Sequence, residues 1–253
     1  MTAGKPIIEV DNVTCRFGAV TAVEGVSLAI GEGTLFGLVG SDGAGKSTLL
    51  RAMATMIRPD SGRVAMAGFD TVRERRQVKR LIGYMPQRFG LYQDLTVDEN
   101  LRFFMDIYGT PARERTARRE RYLGFSNLLP FADRPAGKLS GGMKQKLGLA
   151  CVLVHEPRIL VLDEPTNGVD PVSRREFWEI LLEMKRTGMT IVVSTAYLDE
   201  GELCGRLALM HRASILAEGS PGEIRASSAS LEEAMIRRIV ERDGAQGHDN
   251  PHR

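Results

Sequence analysis

Leu35-Phe36-Gly37-Leu38-Val39 followed by Gly40-Ser41-Asp42-Gly43-Ala44-Gly45-Lys46-Ser47 decides how this chain is read. The first five residues are an unbroken apolar run of strand length. The next eight fit G-x-x-x-x-G-K-S, and Thr48 to Met56 continues with helix formers and an apolar face. A buried strand, a glycine-rich turn and a helix start in that order make a cradle for phosphate. Backbone N–H groups wrap the anion, and the helix N-terminus adds favourable partial charge. Lys46 reaches the outer phosphates, and Ser47 is placed to ligate Mg²⁺. Gly40, Ser41, Asp42, Gly43, Ala44, Gly45 and Thr48 complete the expected cradle.

Outward from that loop, short apolar runs alternate with helical patterns, the mark of an α/β fold. Strands are expected at 7–13, 20–30, 63–67, 159–162 and 190–194. A closing hairpin is expected at 207–210 with 214–217. Helices are expected at 46–56, 142–155, 174–185, 197–204 and 231–240. The early strands belong to an antiparallel β subdomain. Between about 90 and 140 the texture changes: Leu101, Phe103, Phe104, Ile107 and Tyr108 recur at helical spacing, and an Arg/Glu-rich stretch covers 113–121. This reads as a helical subdomain inserted into the core. The basic run reads as the wet face of a helix, with contact to a membrane surface or partner as the other reading. The main domain is placed at 5–225, a last helix at 226–242 and a disordered tail at 243–253.

Composition sets limits. The chain has 253 residues, 43% hydrophobic and 26% charged, and a formal charge of +2, which gives no reason to expect nucleic-acid binding. No apolar run reaches the roughly 20 residues of a membrane span. Met1 to Val10 lacks the pattern of a secretory leader. Cys15, Cys151 and Cys204 stand far apart in no metal-ligand spacing and read as reduced thiols.

The second chemical signal is Ile159-Leu160-Val161-Leu162-Asp163-Glu164-Pro165. A buried strand ending in two acids suits a nucleotide site: Asp163 orients Mg²⁺ or its water shell, and Glu164 polarises the attacking water as general base. The third is Leu139-Ser140-Gly141-Gly142-Met143-Lys144-Gln145. With Gln87 in Tyr84-Met85-Pro86-Gln87-Arg88, Asn167-Gly168-Val169-Asp170, and Phe17 ahead of the phosphate loop, it resembles the ATP-binding subunits of ABC transporters over roughly 7–224. The wording around Gln87, the signature peptide and 170–175 resembles the drug- and antibiotic-exporter branch, YbhF-like.

That resemblance implies a P-loop NTPase core. Phe17 stacks on adenine. Gln87 senses Mg²⁺ and the γ-phosphate. Two cassettes pack head to tail, so that Ser140, Gly141 and Gly142 of one cover the ATP held by Lys46 of the other. A separate membrane permease is then driven from the cytoplasmic face of the inner membrane. Phe89, Leu91 and Tyr92 are either part of the permease groove or core. An importer would use the same engine. An ATPase acting on DNA or ribosomes is disfavoured, because no coiled-coil insertion or second cassette is present.

Three positions depart from the pattern, the smallest departure being Ser41 where Pro is frequent. Ala196, in Ser194-Thr195-Ala196-Tyr197, stands where the family has a histidine on the γ-phosphate. Asp42 puts a carboxylate near the phosphates unless a backbone N–H or a lysine takes it. The expectation is slow hydrolysis at this site and pairing with a different, complete cassette. The alternative is a regulatory subunit that holds ATP without cleaving it. His211 is expected at the surface, and His155 is expected to cap a helix C-terminus.

Overall fold

The computed structural model describes residues 6–247. Two sheets form the frame. A four-stranded antiparallel sheet has the order β2-β1-β4-β5, built from β1 (Ile8–Phe17), β2 (Val20–Ile30), β4 (Ser61–Met66) and β5 (Phe69–Asp70). A six-stranded sheet has the order β10-β9-β3-β8-β7-β6. It comprises β3 (Leu35–Val39), β6 (Ile82–Met85), β7 (Ile159–Asp163), β8 (Thr190–Thr195), β9 (Arg206–His211) and β10 (Ser214–Gly219). All neighbours in it are parallel except the β9–β10 hairpin.

The helices are α1 (Lys46–Met53), α2 (Arg75–Leu81), α3 (Val97–Ile107), α4 (Ala112–Phe125), α5 (Gly141–Leu153), α6 (Pro171–Arg186), α7 (Leu198–Gly201), α8 (Pro221–Arg225) and α9 (Leu231–Gly247). None among the described residues is long and apolar enough to cross a membrane. The three cysteines are buried and free.

The central strands read as continuous apolar runs because both faces of the sheet are covered. Alternation divides them between two cores. Leu35, Val39, Leu160, Leu162, Ile191 and Val193 join the core under α5 and α6. Phe36, Leu38, Ile159, Val161 and Val192 join the core shared with α1 and the antiparallel sheet. The carboxyl ends of β3, β8, β7 and β6 therefore lie side by side, with Val39 opposite Thr195, Asp163 opposite Ser194 and Met85 opposite Leu162. In open parallel sheets this edge is where ligands bind.

Several expectations need correction. Helices α2 and α8 and strands β5 and β6 are not among the expected elements. Strand β6 is four residues with a glycine inside, and Gly83 is required by packing: a Cβ there would lie 2.6 Å from Val152 Cγ1. Helix α6 starts at Pro171 rather than 174, because Asp170 caps it by accepting from the N–H groups of Val172 and Ser173. Helix α1 stops at Met53, short of Met56; Thr55 turns left-handed at φ 62°. Helix α7 covers only 198–201 of the expected 197–204.

The buried stripe of α3 is Val97, Leu101 and Met105, whereas Ile107 is 60% exposed. Phe89 packs against Phe104 and Leu91 joins the same core, while Tyr92 is exposed with its ring edge on Phe103. Helix α9 extends to Gly247, so 243–247 are helical; 248–253 lie outside the described residues.

The basic run of α4 is a solvated helix face, as expected, and its arginines are laced with ion pairs. Arg115 pairs with Asp106, Arg118 with Glu114 and Glu156, Arg119 with Asp98, and Arg121 with Glu156. Its charge is absorbed within the helical region. His155 does not cap α5. Its Nε2 donates to the carbonyl of Ile82 at 3.0 Å, and its ring stacks on Tyr108 at 4.0 Å. It ties the end of α5 to the start of β6. His211 is half-buried at the end of β9 with Nε2 unpartnered, not at the open surface.

Candidate active site

The loop after β3 and the helix after it build the floor of a cleft of about 500 Å³. Asp42 to Thr48 line it, with Gln87, Glu164 and the β2 residues Val20, Thr21 and Ala22. The last three were missed in the sequence, where a half-exposed strand carries no sign of a ligand. Gly45 caps α1 at φ 105°, and a Cβ there would collide with the Ala22 carbonyl oxygen at 2.2 Å. No side chain caps α1, so its first N–H groups are left for an anion.

Lys46 is 3% exposed. Its Nζ donates to the carbonyls of Gly40 at 2.7 Å and Ser41 at 3.0 Å, and pairs with Glu164 Oε1 at 3.0 Å. The other carboxylate oxygen of Glu164 accepts from Gln87 Nε2 at 2.9 Å and from Asn167 Nδ2 at 3.1 Å. Glu164 sits at φ 46°, a strained angle for a residue with a side chain, and Ser194 Oγ accepts from its N–H at 3.0 Å. Asp163 Oδ1 accepts from both Ser47 Oγ and Ser194 Oγ at 2.8 Å. Its Oδ2 is buried with no hydrogen-bond partner. Burial and this nearby carboxylate hold the Tyr84 phenol above its ordinary pKa.

A buried carboxylate oxygen without a donor is costly unless a cation takes it. Asp163 and Ser47 together therefore fit a hard divalent ion that prefers oxygen ligands. Asn167, quoted above in the Asn167–Asp170 motif without a role, belongs to this network, and so does Ser194, of which the sequence carries no sign.

Other expected residues fall apart from the cleft. Phe17 is 53% exposed at the end of β1, opposite Val20 across the hairpin, and is not itself among the lining residues. Ser140, Gly141 and Gly142 do not line the cleft either. Ser140 caps α5, accepting from Met143 N at 3.3 Å. A Cβ on Gly141 would meet open space, whereas one on Gly142 would lie 2.3 Å from Ser173 Cβ. Only Gly141 is thus free for close approach by a ligand. Gly142 is a glycine because α5 packs on α6.

Ala196 borders a smaller cavity of about 130 Å³ with Asp42, Glu164, Thr166, Asn167, Thr195 and Tyr197. Ala196 and Asp42 thus face one space. Among the described residues, no hydrogen bond or ion pair engages the Asp42 carboxylate.

A family model for ABC transporters matches residues 23–167. The chain belongs to the ABC transporter ATP-binding family. It is 48% identical over 217 residues, 85% of its length, to the probable multidrug ABC transporter ATP-binding protein YbhF of Escherichia coli, of which it spans 38%. It is 36% identical over 87% of its length to the daunorubicin resistance ATP-binding protein DrrA3 of Streptomyces coeruleorubidus, covering 70% of that protein. Among solved structures, it superposes on an ATP-binding subunit of an ABC transporter with TM-score 0.82 and 28% identity, over 92% of this chain and 99% of that one. The dimeric ATP-binding cassette MJ0796 with ADP and phosphate bound gives 0.76 at 26% identity, over 84% of this chain and 98% of that one. The two-sheet frame with its helical insertion is therefore the ABC ATPase fold.

Proposed function

We propose that this ABC cassette binds ATP with Mg²⁺ and hydrolyses it to power a membrane exporter of drugs or other small molecules. One observation carries the reading: Lys46, Glu164 and Gln87 meet in one hydrogen-bonded network at the cleft floor, joined by Ser194 to the Asp163–Ser47 pair.

When the triphosphate enters, Lys46 exchanges the Glu164 carboxylate for phosphate oxygens. The α1 N–H groups hold the remaining charge. Glu164 keeps its bonds to Gln87 and Asn167, and its freed oxygen accepts a proton from the attacking water. Bound Mg²⁺ supplies neutralisation of the phosphate charge. Asp163, Ser47 and Gln87 would hold it. Phe17, paired across the hairpin with the lining residue Val20, gives the adenine an apolar face beside the cleft.

Ser140 and Gly141, lying off this cleft, act on the ATP of a second cassette packed head to tail. Ala196 removes a hydrogen-bond donor, and Asp42 adds repulsion, so the favoured mate is a different cassette that carries the histidine. The permease subunits sit in the membrane, with this chain on the cytoplasmic face.

Phosphate release from Mg-ATP decides the matter. Wild type should exceed Lys46→Ala and Glu164→Gln by at least about a hundredfold. Equal rates in all three would overturn hydrolysis. A second reading rests on Ala196: a regulatory cassette that binds ATP without cleaving it. ATP binding lost in Lys46→Ala, with no release from wild type, would favour that reading.

A further inference from the structure

Glu200 is 2% exposed, yet it is a carboxylate. Burying a charge is costly unless it is fully satisfied, and an apolar side chain of the same volume often serves stability as well or better. Its partners explain its place. Oε1 accepts from Thr166 Oγ1 at 2.7 Å, and Oε2 accepts from Thr195 Oγ1 in a shorter contact. Arg174 Nε stands 3.9 Å from Oε1.

Each partner comes from a different part of the site. Thr166 lies two residues after Glu164. Thr195 ends β8, next to Ala196, and its Oγ1 also accepts from Tyr197 N at 3.0 Å. Arg174 lies in the first turn of α6, just past Asn167 to Asp170, with its guanidinium over the Tyr197 ring and bonded to Asp199. Thr166 and Thr195 line the same small cavity as Glu164, Asp42 and Ala196. Glu200 stands behind that wall and joins its two sides.

Glu164 needs such support. Its φ of 46° relaxes unless its surroundings hold it. Ser194 holds its N–H from one side. On the other side the chain runs through Pro165 to Thr166, whose hydroxyl is fastened to Glu200.

We infer that Glu200 is a positioning residue for hydrolysis: through Thr166 and Thr195 it fixes the strained peptide of Glu164 against the end of β8, and so fixes the aim of the base. The inference rests on the reading of Glu164 as general base. A displacement of the base by about 1 Å is enough to cost on the order of a hundredfold in rate. Nucleotide affinity, which belongs to the loop around Lys46, is left alone.

The test uses the full-length chain in its assembled complex, with steady-state Mg-ATP turnover and nucleotide affinity measured separately. Glu200→Gln and Thr166→Val should each lower kcat by about 10- to 100-fold, with the KM for ATP within about twofold of wild type. Thr166→Val leaves Glu200 bonded to Thr195, so it tests the idea even where Glu200→Gln folds poorly. Thr166→Ser and Thr195→Ser, which keep the hydroxyl, should stay within about twofold in kcat. The double variant Thr166→Val/Glu200→Gln should be no slower than the slower single one, because both cut one connection.

A brace that serves folding alone would lower the thermal midpoint in the valine variant and leave kcat per folded molecule unchanged; that result overturns the inference. Wild type no faster than Glu164→Gln would overturn the hydrolytic reading and this inference together. Wild type fast, with Glu200→Gln and Thr166→Val equally fast, would overturn this inference alone.

Discussion

At the scale of single residues, the site is a set of ionic and hydroxyl groups already engaged with one another. Lys46 is held by two carbonyls and Glu164, so in the proposed reaction a phosphate would replace partners rather than meet a bare charge. Ala196 is the exception. Its methyl group stands in a cavity bordered by Glu164 and Asp42. A donor aimed at developing phosphate charge is typically worth about 2–4 kcal/mol, or 10²- to 10³-fold in rate. Ala196→His should therefore raise single-turnover phosphate release from this site by at least about tenfold, read by rapid quench with radiolabelled ATP. An unchanged rate would mean that Asp42 or the partner sets the limit instead. The histidine's absence is legible in the sequence. That Asp42 shares its cavity is not, since 154 positions separate them along the chain.

At the scale of elements, α5 is fixed at both ends by contacts that sequence spacing hides. Near its start Gly142 lies against Ser173 of α6. Beyond its end His155 donates from Nε2 to Ile82 of β6 and stacks on Tyr108 after α3. The Nδ1 atom is buried with no partner. Burial lowers the His155 pKa most; the Ile82 hydrogen bond opposes this, and nearby Arg118 lowers it further. The charged form is thus disfavoured in the folded state.

The sign follows. Below the ordinary histidine pKa of about 6.5, the unfolded chain takes up a proton that the folded chain resists, so stability falls as pH falls. Above that pKa the effect vanishes. Urea midpoints from pH 7.5 to 5 should decline in wild type, and the decline should be shallower in His155→Phe, which keeps the stacking on Tyr108. Parallel slopes would sink the assignment.

At the scale of the whole molecule, the proposed head-to-tail pairing makes the chain half of two sites rather than one whole site. The cleft over Lys46 lacks any wall from Ser140 or Gly141, and those residues crown the start of α5 elsewhere. Glu164→Gln, mixed with a cassette that has histidine at the position of Ala196, should dimerise only with Mg-ATP, as read by light scattering after gel filtration. Adding Ser140→Arg, whose bulk fills the lid, should abolish the dimer. A dimer that forms without nucleotide, or survives Ser140→Arg, would contradict the head-to-tail arrangement.

By itself the sequence determined the phosphate loop, the acid pair after β7 and the signature peptide. Each is a local pattern: a run of apolar residues, a turn that only glycines allow, a helix start. It also determined the strands of the core other than β6, because strands covered on both faces must be apolar throughout. Only the tertiary structure decided which strands are neighbours. That order sets Ser194 beside Asp163, places Gln87 on Glu164, and brings Thr166 and Thr195 onto Glu200. It also decided that Gly142 answers to Ser173 and that α4's charges are neutralised. The physical reason is the same in each case. Strand order and helix packing are set by burying apolar faces from distant segments, and the polar contacts at the edges follow from that burial without leaving a periodic trace in the chain.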